Sequence, residues 1–194
     1  MKKLLLLFIV VIPSLCMAQL IKPRAQMEDY ISKIPVCDNR VTFRDTIPLS
    51  KDLDKIEVRN RLQSTLDTYL TEKKGIMRLN DTVEHKMAIQ VIDHVAFEKK
   101  ALSMFAMWVK YTLILDYSTD ECRVEVRNIT FIESDERAQK DATSLEDFSF
   151  SSEYVFIEQK YKVALVKEAT NKMALGLITN MNELFSSLKQ GLTQ

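Results

Sequence analysis

Three apolar-rich runs follow one another between His85 and Asp135, and they constrain this chain more than any other feature. They cover Lys86 to Phe97, Ala101 to Tyr117 and Cys122 to Glu133. In the first, His85, Met87, Ile89, Val91, Asp93, Val95 and Phe97 fall on one side of an extended backbone, and Lys86, Gln90, His94 and Glu98 on the other. In the second, Phe105, Met107, Val109, Tyr111, Leu113, Leu115 and Tyr117 alternate with Met104, Trp108, Lys110, Thr112 and Asp116. Side chains in a strand alternate between faces, so period two predicts a sheet with one apolar and one mixed face. In the third run the apolar phase passes from Cys122, Val124 and Val126 to Ile129 and Phe131, which predicts a bulge near Asn128. The polar link 118–120 suits a hairpin, and together the runs read as an antiparallel meander.

The rest of the chain supplies cover for that sheet. Residues 19–38, punctuated by Pro23 and Pro35, read as a mobile lead-in with a helical turn near Gln26–Ser32. Val41, Phe43, Asp45 and Ile47 alternate with Thr42, Arg44 and Thr46 in a first strand, and Pro48 fits its end or a sheet edge. A helix is predicted from an N-cap at Ser50 to a C-cap at Gly75, with Val58, Leu62, Leu66, Tyr69 and Leu70 on one face. Ile76–Leu79 reads as a short strand before the turn at Asn80-Asp81. The acidic stretch 133–152 reads as a loop. Helical period returns at Glu153 with Tyr154, Ile157, Tyr161, Ala164 and Leu165 on one side. It continues through Met173, Leu177, Met181, Leu184 and Leu188, with Gly191 as the stop. One bent helix and two separate ones both fit 153–190. The expected fold is α+β: about five antiparallel strands, in the order β-α-β-β-β-β-α, with two main helices packed on one face. Residues 39–190 form a single domain in this reading.

The N-terminus bears on compartment. Met1-Lys2-Lys3 precedes the wholly apolar run Leu4–Ile12, and Ala18-Gln19 offers a small residue before a polar one. This pattern predicts a signal peptide over residues 1–18, cleaved after Ala18. Leu15 before Cys16 argues against a lipoprotein, and the run is shorter than the ~20 residues a bilayer span requires. No later segment reads as a transmembrane span. The expected location is the periplasm or the outer membrane. Losing Lys2 and Lys3 turns a balance of 27 basic and 27 acidic side chains slightly acidic, which is no footprint for nucleic acid. Two cysteines remain, Cys37 and Cys122, and the reading favours two free thiols over a disulfide.

Several stretches resemble one family: Val41-x-Phe43 with Asp45-Thr-Ile47, the Asn60-Arg61 pair, and Tyr111-Thr-Leu-x-Leu115. Arg123-x-Glu-x-Arg-Asn128-Ile and a terminal Asn182-Glu-Leu-Phe-x-Ser-Leu188 complete the pattern. The chain is similar to an uncharacterised secreted family of Bacteroidetes, a domain of unknown function with a TATA-binding-protein-like fold. The resemblance covers roughly residues 38–135, with a weaker echo at the C-terminus. It implies a curved antiparallel sheet backed by two helices, with the first strand beside the last, so that Cys37 lies far from Cys122. It brings no activity and no catalytic residues, and a fold name does not fix function.

No catalytic constellation emerges. His85 and His94, the two histidines, fall on opposite faces of an ideal strand, and no ligand spacing suggests a metal. Gly75, Gly176 and Gly191 are too few and too scattered for a phosphate loop or a nucleophile elbow. The acidic run 133–147 lacks the spacing of a calcium loop. No enzyme, cofactor or metal is therefore expected. Met87, Met104, Phe105, Met107 and Tyr111 read as core. Trp108, with Lys110 and Thr112 on the mixed face, is the candidate partner-binding surface. Thr82 and Thr46, in the Asp-Thr-Val and Asp-Thr-Ile triplets, are candidate O-glycosylation sites. The function expected is a non-catalytic envelope module that binds a protein or assembles with itself. The alternative is a small-molecule or lipid carrier with a cavity between sheet and helices, lined by methionines and Tyr69.

Overall fold

The computed structural model describes residues 29–50, 53–71, 73–100, 103–132, 149–160 and 166–193. The predicted signal peptide and the acidic run 133–147 lie outside the described residues. The strands are β1 (Val36–Cys37), β2 (Arg40–Val41), β3 (Phe43–Pro48), β4 (Lys74–Asp81), β5 (Lys86–Lys100), β6 (Ser103–Tyr117), β7 (Glu121–Ile132) and β8 (Ser149–Ser151). The two main helices are α1 (Lys55–Tyr69) and α2 (Val166–Thr193).

The main sheet runs β3-β7-β6-β5-β4 and is antiparallel throughout, with β8 paired to the far end of β7. The meander predicted from period two is its centre. Met87, Ile89, Val91, Val95 and Phe97 of β5 are buried on one face, and so are Met107, Val109, Tyr111, Leu113, Leu115 and Tyr117 of β6. In β7 the buried set passes from Cys122, Val124 and Val126 to Ile129 and Phe131 across a register shift opposite Tyr111. Asn128 stands in that bulge with φ +55°, a left-handed conformation that asparagine tolerates better than most residues. A second bulge falls between Ala96 and Glu98, so the β5–β6 hairpin is bent near its tip.

Both helices cover this apolar face. α1 buries Val58, Leu62 and Leu66, and α2 buries Met173, Ala174, Leu177, Met181, Leu184, Leu188 and Leu192. Each large side chain moved from water into such a core contributes roughly 1.5–3 kcal/mol.

Local signals near the helix ends resolve differently from the sequence expectation. The N-cap of α1 is Asp54, whose carboxylate accepts the Glu57 N–H at 2.7 Å; Ser50 lies in a preceding turn that accepts Leu53 N–H. The helix ends at Leu70, and Gly75 is already in β4 opposite Val91. α2 runs past Gly191 to Thr193 because Gly191 is a contact point and not a stop: a Cβ there would overlap the Thr65 side chain of α1. A Cβ on Gly176 would press into the Phe97 ring. The segment after Ser152 is a single π-helical turn, Glu153–Ile157, separate from α2. Its wider turn changes the phase, so Val155 and Phe156 are buried and Tyr154 is exposed, with Phe156 edge-on to Phe131 at 5.8 Å.

The part of the expected lead-in that is described, residues 29–38, is docked. Ile34 is buried, and the N–H groups of Tyr30 and Ile31 donate to Asn171 Oδ1 of α2 at 2.7 and 3.3 Å. No helix among the described residues is long and apolar enough to cross a membrane.

Gly176→Ala and Gly191→Ala are each expected to lower stability by about 1–3 kcal/mol through overpacking. Alanine is the better helix former by roughly 1 kcal/mol, so propensity alone predicts the opposite sign. Gly75→Ala meets only the end of the Leu70 side chain and should change stability by less than about 0.5 kcal/mol. Urea unfolding of the three variants checks this order.

Candidate functional site

Two groups of side chains stand out, one on each face of the sheet. On the face away from the helices, cross-strand partners line up in rows. Lys74, Ile92, Lys110 and Thr130 form one, and Ile76, Gln90, Thr112 and Arg127 the next. Leu79, Ala88, Ile114, Glu125 and Arg44 form a third, and Asp81, Lys86, Asp116, Arg123 and Thr46 a fourth. Trp108 is opposite His94, ring centroids 4.9 Å apart, with Lys74 Nζ 5.6 Å from the indole. Trp108, Lys110 and Thr112 are thus successive half-buried positions on the central strand of the face that neither helix covers. This face is amphipathic: branched apolar side chains and an indole lie among lysines and arginines.

On the covered face, a polar cluster is set into the core. Asp93 is buried in the β5 apolar stripe. Lys73 Nζ, just beyond α1, lies 2.5 Å from Asp93 Oδ2, and Asn180 Nδ2 of α2 donates to the same oxygen at 2.9 Å. Lys73 also donates to Tyr69 Oη at 2.8 Å, and the Tyr69 and Tyr111 hydroxyls share a 3.3 Å hydrogen bond. Burial works to lower the Lys73 pKa, but the bonds to Asp93 and Tyr69 outweigh it and the net shift is upward. A lysine nucleophile or base needs the opposite shift. Burial holds the Tyr111 hydroxyl neutral well above the usual phenol range. A charged lysine, a neutral tyrosine and close-packed surroundings make a strut that ties both helices to the sheet.

The sequence alone does not reveal this cluster; its one visible sign is Asp93 within an otherwise apolar stripe. The histidines do not meet: His85 is in the turn before β5 against Tyr117, at 5.5 Å, and His94 is on the outer face. No group of metal-ligating side chains forms among the described residues. Cys37 and Cys122 are both free, the first half-buried on the β1–β2 ribbon and the second buried in β7. Thr82 is exposed in the turn that Asp81 Oδ1 organises by accepting Val83 N–H at 2.8 Å and Glu84 N–H at 3.0 Å, and these bonds lower the Asp81 pKa. Thr46 is exposed on β3 opposite Arg123.

Met87, Met107 and Tyr111 belong to the core, whereas the Met104 side chain lies outside the described residues. Open depressions among the described residues lie elsewhere. One, of about 550 Å³, is on the outer surface of α1 around Gln63 and Asp67, and one of about 400 Å³ is in the cleft between the helices around Thr65, Tyr69 and Gly191.

The main sheet is open and antiparallel, with β3 beside β7 and two helices on one face. Residues 43–132 match the family described as Domain of unknown function (DUF4468) with TBP-like fold. The structure is similar to that of a DUF4468 family protein from Bacteroides ovatus, with 15% identity and a TM-score of 0.66 over 87% of this chain and 97% of that one. A TBP-like protein from Parabacteroides distasonis is similar at 11% identity and a TM-score of 0.62, over 82% of this chain and 96% of that one. At these identities the likeness establishes the fold alone. No curated protein matches the sequence.

Removing one member of the buried pair should cost more than removing both. Lys73→Met leaves the Asp93 carboxylate without its cation and is expected to lose about 3 kcal/mol in urea unfolding, and Lys73→Met with Asp93→Leu to recover at least half of it.

Stability should also fall on the alkaline side. Burial, with Asp116 adding to it, pushes the Cys122 thiol from 9.0 up to about 12. The folded chain then keeps a proton that the unfolded chain releases, so stability declines as pH rises from about 9 towards 12. Lys73 and Tyr111 act in the same direction, each beginning near its ordinary value of 10.5 or 10.0. Urea midpoints measured from pH 7 to pH 11 should therefore drop, and Cys122→Ala, though less stable at pH 7, should begin its decline about one pH unit later.

Proposed function

We propose that this protein is a non-catalytic binding module of the cell envelope, and that the uncovered sheet face is its working surface. The observation that carries this reading is the composition of that face. Trp108 and Ile114 lie on β6 and Ile92 on β5, with Lys110 between them on β6 and Arg127 beside Thr112 on β7, all on the face away from both helices. Aromatic and arginine side chains are over-represented where proteins meet, because one side chain supplies both apolar area and a directed polar group. The occupant is an envelope protein or a second copy of this chain. Export rests on the leader read in residues 1–18, with Gln19 as the first residue of the exported chain. The strut around Asp93 supports the non-catalytic part, since its lysine is held charged and its tyrosine neutral. The carrier alternative is not favoured by the methionines: Met87, Met107, Met173 and Met181 are all packed into the core and line no cavity among the described residues.

A photoreactive amino acid placed at Thr112, in tagged protein within intact cells, is expected to capture one dominant protein. The same group at exposed Ser64, on the outer surface of α1, is expected to capture none above background. Mass spectrometry identifies the adducts and reads the N-terminus, expected at Gln19. Equal capture at both positions, or none at Thr112, would sink the assignment of the surface.

A further inference from the structure

We infer that β4 is a docking edge for a second copy of this chain, pairing antiparallel with its own two-fold equivalent. This rests on the reading of the protein as a binding module and names one partner for it.

The two edges of the sheet are unlike. β3 ends in Pro48 and exposes Arg44, Asp45 and Thr46, so charge and a missing N–H blunt that edge. β4 is exposed along nearly its whole length and displays Ile76 at 49%, Met77 at 39% and Leu79 at 46% of full exposure. An exposed edge strand of eight residues that displays three apolar side chains between Lys74 and Asp81 is a template for another strand of matching pattern.

The register of β4 indicates which strand. Opposite positions in an antiparallel pair share a face, so Lys74, Ile76, Leu79 and Asp81 lie on the outer face with Ile92, Gln90, Ala88 and Lys86. Gly75, Met77 and Asn80 lie on the inner face, and the bulge at Arg78 shifts the alternation between Met77 and Leu79. That shift makes β4 self-complementary. When two copies run antiparallel about a point between Met77 and Arg78, Lys74 stands opposite Asp81 and Ile76 opposite Leu79, all four on the outer face. Gly75 then stands opposite Asn80 on the inner face. The two-fold repeats each pair, giving two opposite-charge and two apolar cross-strand contacts in one register. An unrelated strand carries no such constraint. The pairing also joins the two outer faces into one surface.

Sedimentation equilibrium of the purified protein tests this. A reversible dimer is expected. Ile76→Lys alone and Leu79→Glu alone should each weaken it about tenfold or more, by setting a charge against an apolar side chain. The double variant sets lysine opposite glutamate in the same register and should return to within about threefold of the parent. A protein that stays monomeric, a dimer indifferent to either single change, or a double variant as weak as the singles would overturn the proposal. Should a variant fail to fold, amide exchange of the parent decides: β4 exchange that slows as concentration rises supports pairing, and concentration-independent exchange overturns it. A monomer that still crosslinks through Thr112 would remove this dimer and leave the binding surface standing.

Discussion

The structure depends on covering one apolar sheet face. Long strands β5 and β6 place Met87, Ile89, Val91, Val109, Tyr111, Leu113 and Leu115 on a single side, more apolar area than a free-standing sheet could leave in water. α1 is too short to cover it alone, so the 28-residue α2 spans the remainder. Close approach is what makes that cover effective. Gly176 lets α2 down onto Phe97, and Gly191 lets it cross α1 at Thr65. Two glycines that look like weaknesses by helix propensity are the points where backbone must come near its neighbour.

Asp93 shows how such a face tolerates a charge. A lone buried carboxylate would be strongly unfavourable, yet Lys73 and Asn180 converge on one of its oxygens from two different elements. Because the partners come from beyond α1 and from the middle of α2, the cluster ties the placement of both helices to the register of β5. A helix displaced by one turn would leave the carboxylate unpaired. The polar cluster therefore selects one docking among the many that apolar contact alone would allow.

What was legible in the sequence follows the range of each signal. Period two in β5, β6 and β7 and the stripe from Met173 to Leu188 are carried by many residues, and both the sheet and the terminal helix follow from them. The bulge at Asn128 was legible because it flips the apolar phase in mid-strand. The bulge at Arg78 did the reverse: it broke the alternation of β4 and made an eight-residue edge strand look like four residues. Lys73-Lys74-Gly75 imitated a helix end, although the helix stops at Leu70. β8 is three residues long, too short to show any period. The strut around Asp93 joins positions 20 and 87 residues apart, a separation only the fold closes.

The sheet thus has two faces and two edges with different chemistry. Selection for solubility alone would put charge on every uncovered surface, as it has at the β3 edge. The outer face instead keeps Trp108, Ile92 and Ile114 on its central strands, and the β4 edge keeps Ile76 and Leu79. These apolar residues do not stabilise the helix-covered core, since they lie on the opposite side of the sheet. Their burial becomes favourable only when something else covers them. The lysines and arginines between them keep that face hydrated. On that combination, apolar side chains set among cations on the side of the fold the helices leave bare, rests the proposal that this side is a binding surface.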